Sequence, residues 1–264
     1  MTDHLLVQVS DVHLMPDGEL LHGVSPRENL LRALATLAEA EVNPGVFVLT
    51  GDLADSGDPE CYEDLAGIMS DAADLHGATV VYVPGNHDRR PAFRQHLLGL
   101  VPSSEPVNQV HWDGDLRIVS LDSSVPDKEF GLLDEETLDF LAEVLSAPAS
   151  GGTIVAVHHP PIPSPIIPME KIMLLERDRL AQTVMGSDVR LIICGHNHHE
   201  GLGSIGSVPV WVSPSSAYRL DVLSREATRD RPGCAVSRID VDDGATVSVI
   251  VVDSEPPQPS RARS

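Results

Sequence analysis

Five short apolar runs in this chain each end in a cluster of glycine, aspartate, asparagine or histidine. Leu5–Ser10 runs into Asp11-Val12-His13, and Val46–Thr50 into Gly51-Asp52-Leu53-Ala54-Asp55. Thr79–Val83 is followed by Pro84-Gly85-Asn86-His87-Asp88. Thr153–Val157 leads into His158-His159-Pro160-Pro161, and Leu191–Cys194 into Gly195-His196-Asn197-His198-His199. Short apolar runs rich in β-branched residues and bounded by turn residues read as buried strands. In open α/β sheets ligands gather in the crevice at the carboxyl ends of the strands. A chain that keeps placing metal-binding and proton-moving side chains there is delivering chemistry to one rim.

The segments between the runs read as helical crossovers. Ser25-Pro26-Arg27-Glu28 has an N-cap, a proline at the first helical position and a glutamate placed for a capping box. Leu30, Leu34, Leu37 and Ala38 form the inward stripe, and Asn43-Pro44-Gly45 ends the helix. Asp58 or Pro59 opens a second helix that runs to His76, with Gly77 as its stop. Strand, helix, strand, helix, strand implies parallel pairing. A helix is expected over Pro91–Leu100, a capped helix from Asp134 to Leu145, and another over Glu176–Met185. Val107–Trp112 and Leu116–Leu121, joined by Asp113-Gly114-Asp115, mark a switch to antiparallel pairing. Val189–Cys194 and Val208–Val212 follow as strands, and Cys234–Val241 with Thr246–Val252 reads as a closing hairpin. Pro160–Pro168 holds five prolines and is expected to be an ordered loop beside the site. Residues 1–254 read as one domain, and the Pro/Ser/Arg-rich stretch 255–264 as a disordered tail.

Charge narrows the partners. The net charge is -22, with only 18 Lys and Arg in 264 residues. Long nucleic acid and anionic membrane both need a basic surface, so neither is expected as a partner. No apolar run reaches the roughly 18 residues of a membrane span. The three cysteines show no CxxC spacing and read as unpaired thiols of a reducing compartment, the cytoplasm.

Seven of the 12 histidines lie in the strand-end clusters, together with Asp11, Asp52 and Asn86. Carboxylate, imidazole and amide oxygen without thiolate suit Fe, Mn, Zn, Co or Ni. The set is too large for one four-coordinate ion. Two ions sharing a carboxylate would use it, and ions about 3.5–4 Å apart clamp the attacking and leaving oxygens of an in-line displacement. Two divalent ions held by two aspartates leave about two positive charges, which suits a phosphate ester. A metal also lowers the pKa of bound water from about 15.7 to about 7.

The quoted motifs resemble the five blocks of the calcineurin-like binuclear metallophosphoesterases, in that family's order, over about 190 residues from Asp11 to His199. The resemblance implies that Asp11, His13 and His198 hold one metal, that Asn86, His158 and His196 hold the other, and that Asp52 bridges them. It gives His87 the role of transition-state stabiliser or acid for the leaving oxygen, and Asp55 that of orienting His87. Asn86 and His87 would contact substrate, and His159 either contacts substrate or supports the metal ligands. Asp88 is read as a helix cap with local hydrogen bonds. Val157–Pro165 and Ser213–Tyr218 look like the class III cyclic-nucleotide phosphodiesterases of the mycobacterial type. That likeness implies 3′,5′-cyclic AMP as substrate, an Fe–Mn pair and a homodimer. A broad phosphodiesterase or phosphomonoesterase, acting for example on glycerophosphodiesters, is the alternative; a non-catalytic scaffold is a distant third. Tyr218 reads as a packed tyrosine or as a stacking platform for a base. The expected fold is a four-layer α/β/β/α sandwich of two mixed sheets, the metal pair lying at the strand C-terminal ends.

Overall fold

The computed structural model describes residues 4–252. The expected tail, 255–264, lies outside them. Strands β1 (His4–Val9), β2 (Val46–Thr50) and β3 (Thr79–Val83) pair in parallel through crossover helices α1 (Pro26–Glu39) and α2 (Pro59–His76). β12 (Cys234–Val241) returns antiparallel along β1, and β13 (Ala245–Val252) lies outside it, giving the order β13-β12-β1-β2-β3. The second sheet comprises β4 (Gln109–Asp113), β5 (Leu116–Leu121), β6 (Thr153–Val157), β7 (Val189–Cys194), β8 (Gly201–Ile205) and β9 (Val208–Val212). Its order is β4-β5-β6-β7-β9-β8, parallel in the middle and antiparallel at both edges. Both sheets are mixed, as expected.

The continuous apolar character of the central strands follows from burial on both faces. Alternate residues go to different cores because side chains alternate across a strand. Leu6, Val46, Val48, Val81, Ile118, Ile154 and Ile193 meet between the sheets. Val7, Val9, Phe47 and Leu49 point the other way, against Leu30 and Leu37 of α1 and Tyr62 and Leu65 of α2. On the far side, Val119, Val155 and Ile192 pack against Leu138 and Leu141 of α4 (Glu135–Leu145) and Leu180 of α6 (Arg177–Val184). Helix, sheet, sheet and helix form four layers.

The helix ends largely follow local chemistry. Ser25 Oγ accepts from Glu28 N at 3.3 Å, and Asp134 Oδ1 accepts from Thr137 N at 2.8 Å. Gly77 closes α2 at φ 67°. Helix α3 (Arg90–His96) stops a turn short of the expected Leu100: Leu97 N bonds to Phe93 O, and the chain then turns through Gly99 at φ 62°. The proline-rich segment is irregular as expected, except that the single-turn helix α5 (Ile167–Glu170) closes it. Strand β8, with two glycines and no apolar alternation, and the two-residue pair β10 (Arg219–Leu220) and β11 (Asp230–Arg231) were not anticipated.

A polar clasp brings the two sheets together at their carboxyl ends. Gln8, fully buried on β1, donates to Thr50 Oγ1 of β2 at 2.8 Å and to Cys194 O of β7 at 2.9 Å. The strand ends of the two sheets therefore open into one space.

Candidate metal centre

Ligand atoms of Asp11, His13, Asp52 and His198 all lie within 4.8 Å of one another, and so do those of His158, His159 and His196. Asp52 joins the groups: its Oδ2 is 3.7 Å from His13 Nε2 and 3.3 Å from His158 Nε2. Its Oδ1 accepts from His87 N at 2.9 Å, which fixes the carboxylate's rotation. Asp11 is held by the backbone N–H of His196, at 2.9 and 3.1 Å from its two oxygens.

The imidazoles share one pattern. His13 Nδ1 bonds Asp55 Oδ1 at 3.0 Å, His158 Nδ1 bonds Thr50 O at 2.8 Å, and His198 Nδ1 bonds Tyr218 O at 3.1 Å. Carboxylate and carbonyl oxygens only accept, so each Nδ1 carries a proton and each Nε2 offers a lone pair to the centre. This is the arrangement seen in metal-bound histidines, where the outer nitrogen donates to a fixed acceptor. His158 Nε2, His196 Nε2 and Asn86 Oδ1 are buried and have no hydrogen-bond partner among the described residues. Three buried polar atoms left without a hydrogen bond around one cleft are anomalous unless a cation completes them. The donor set fits metal ions.

The electrostatics say the same. Burial opposes the charge on His158, but Asp52 beside it outweighs burial and raises its pKa to about 9. Burial likewise opposes ionisation of Asp52, yet His158, His87 and His13 hold its pKa well below the usual range. Asp11 is pushed up to about 6, by burial first and by Asp52 among the lesser causes. Burial drives His196 and His198 far down, so they stay neutral ligands. Without metal, protons substitute for the missing positive charge.

Backbone strain concentrates here. Asp11, His13, Asp52, His196 and His198 all adopt φ between 48° and 70°, the left-handed region that side chains avoid. Close approach explains two of the motif glycines: a Cβ on Gly85 would overlap Asp52, and one on Gly195 would overlap Ser10 Oγ.

The expected site residues divide as follows. Asp11, His13, Asp52, His158, His196 and His198 converge, and Asn86 lines the same cleft. His87 lies beside them, its ring 4.7 Å from that of His13 and its side chain 40% exposed to the cleft. Its Nδ1 bonds the backbone carbonyl of Asp55 at 2.6 Å, whereas the Asp55 carboxylate is 3.7 Å away. That carboxylate serves His13 instead, so Asp55 orients both rings through different atoms. His159 is fully buried, and both its nitrogens are engaged, Nδ1 with Ser123 Oγ and Nε2 with Glu129 O. It has no nitrogen free for a substrate. Asp88 is not a helix cap, since Arg89 takes that position. Its buried carboxylate accepts from Leu53 N, Ala54 N, Gly85 N and the Tyr62 hydroxyl, binding the Asp52 loop to the Asn86-His87 loop. His22 is exposed at the mouth of the cleft and pairs with Asp230 at 3.0 Å.

Residues 4–200 match the calcineurin-like phosphoesterase family, and the chain belongs to that family. It is 38% identical over 219 residues to a probable cyclic nucleotide phosphodiesterase of Rhodococcus erythropolis, covering 83% of this chain and 73% of that one. It is 38% identical over 233 residues to a cAMP/cGMP dual specificity phosphodiesterase of Mycobacterium tuberculosis, covering 88% and 73%. A dimetal phosphatase from Danio rerio shares the fold at a TM-score of 0.63 and 14% identity, covering 95% of this chain and 99% of that one.

Proposed function

We propose that this chain is a metal-dependent phosphodiesterase that hydrolyses a small cyclic nucleotide, 3′,5′-cyclic AMP foremost. One observation carries the reading: His158 Nε2 and His196 Nε2, unpartnered among the described residues, lie in the same buried centre as Asp52, and Asn86, whose Oδ1 is also unpartnered there, lines the cleft beside them. The names of the 38% identical relatives narrow the substrate class. Asp11, His13 and His198 would hold one ion, Asn86, His158 and His196 the other, with Asp52 between them. Fe and Mn fit this oxygen-and-nitrogen set, as do Zn, Co or Ni. Bound there, the pair supplies positive charge for the phosphate and an acidified water.

The chain's own residues do the rest. No Lys or Arg is among the residues that line the cleft, so its positive potential comes from the ligated centre and its histidines. The cleft holds about 290 Å³, close to the small end of ligand sites, which favours a small ester over a long strand. The Asp55 carbonyl holds the His87 Nδ1 proton, so in the imidazolium form Nε2 is the atom that gives its proton to the departing oxygen, the ring leaving the step neutral. Asp52 Oδ1 on the His87 amide keeps that ring and the bridging carboxylate in register.

The same reading carries a single domain over residues 1–254, a homodimer and a cytoplasmic location. Protein loaded with Mn is expected to hydrolyse cyclic AMP and bis-p-nitrophenyl phosphate. Inertness of fully metallated protein toward both would overturn the proposal. A glycerophosphodiester or a monoester preferred over cyclic AMP would move it to a broad phosphoesterase.

A further inference from the structure

Two segments outside the strand-end loops close one side of the cleft, and apart from the Tyr218 carbonyl on His198 neither has been given a role above. Met169 and Ile172 come from the stretch following the prolines, and Tyr218 and Leu220 from the stretch after β9. Ile166, Met169 and Leu220 are buried together, with Ile172 and Tyr218 packed against them, in a small core separate from those of the sheets. A backbone hydrogen bond from Ile167 N to Arg225 O, at 2.9 Å, clamps the segments to each other. The wall is continuous with the metal centre: the Tyr218 ring lies 4.3 Å from that of His198, and its carbonyl accepts from His198 Nδ1.

We infer that Met169, Ile172, Tyr218 and Leu220 form the subsite for the nucleoside of the diester, and thereby set substrate preference. The inference rests on the phosphodiesterase reading and adds to it the residues that recognise what the phosphate carries. A phosphate at the ligated centre places its substituent within reach of Tyr218, because the tyrosine packs directly on a ligand histidine. A flat, weakly hydrated base gains from apolar and aromatic contact. A glycerol or ethanolamine substituent gains almost nothing from it. The polar rim beyond, Glu129, Thr228 and the His22–Asp230 pair, suits the edges of a base rather than a second anion.

The test uses the full-length metal-loaded enzyme with Ile172→Ala and Met169→Ala, and compares cyclic AMP with glycerophosphoethanolamine, which has no base. For cyclic AMP, kcat/KM is expected to fall about tenfold in each variant, mostly through KM, as for apolar pocket truncations. For the base-free diester it should change by less than about twofold. Adenosine, which lacks phosphate, should inhibit the wild type competitively and the variants more weakly. Equal losses on both substrates, or no inhibition by adenosine, overturn the subsite. A wild type inert toward both diesters would overturn the phosphodiesterase reading instead. The subsite is then judged by adenosine titration of the wild type and Ile172→Ala followed by NMR: shifts confined to the wall support it, and their absence refutes it.

Discussion

The Nε2 atoms of His13 and His198 face each other across 3.2 Å. Both rings have committed Nδ1 to an oxygen acceptor, so two lone pairs point at each other unless a proton or a metal lies between. Metal binding should therefore stabilise the fold. Metal at 100 times its Kd contributes about 2.7 kcal/mol, or roughly 5–10 °C in Tm for a chain of this size. Scanning calorimetry with and without a chelator checks it; a Tm indifferent to chelation would count against any ion at this position.

The proton that stands in for metal has to leave when metal arrives. In the metal-free chain burial disfavours a charged His158, but Asp52 lifts its pKa to about 9. The Asp55 hydrogen bond and the Asp52 charge raise that of His13 against the same burial. His158 thus carries an extra proton at neutral pH, and metal displaces it. Apparent Mn affinity should rise as pH increases from 6 toward about 9, then level off. Calorimetric titration in buffers of different ionisation enthalpy counts the released protons; none released at pH 7 contradicts the assignment.

Neighbouring residues Asn86 and His87 should fail differently. Asn86→Ala removes an unpartnered buried oxygen, so bound metal is expected to fall from two ions toward one. His87→Ala leaves the ligand set intact and should lower kcat by about 10²–10⁴-fold, the usual contribution of a general acid. Elemental analysis beside kinetics separates them. Metal loss in His87→Ala would make that histidine a ligand.

Asp88→Asn probes the joint between two loops. The carboxylate accepts from three backbone amides and the Tyr62 hydroxyl, and asparagine would turn an amide nitrogen toward some of them. One unsatisfied buried donor costs about 1–3 kcal/mol. Denaturation of the metal-free variant should show that loss, with Mn affinity reduced because Asp52 and Asn86 shift. Unchanged stability would mean that the knot is redundant.

The main strands and the mixed character of the two sheets were legible because burial on both faces writes unbroken apolar runs, and turn residues punctuate them. The residues proposed to hold metal were legible for a related reason: each lies just past such a run. What the sequence did not reveal is conformational. Nothing in Asp11 or His196 as residue types announces a left-handed backbone, which only the packed strand ends impose. Asp88 follows Asn86-His87 at the start of a helical stretch and reads as a cap; its donors come from residues 53, 54, 62 and 85, which only folding assembles. Asp55 was expected to orient His87, and which of its atoms does so could not be read: the backbone carbonyl makes the closer bond, not the carboxylate. The apolar wall was invisible because Met169, Ile172 and Leu220 sit in a single-turn helix, a turn and a two-residue strand, each too short for any periodicity to betray a shared face.

The most direct measurement is anomalous diffraction at the Mn absorption edge from crystals of Mn-loaded protein. Two peaks are expected about 3.5–4 Å apart, one among Asp11, His13 and His198 and one among Asn86, His158 and His196, with Asp52 between them. A single peak, or two peaks that do not share Asp52, contradicts the paired centre on which the proposed chemistry depends.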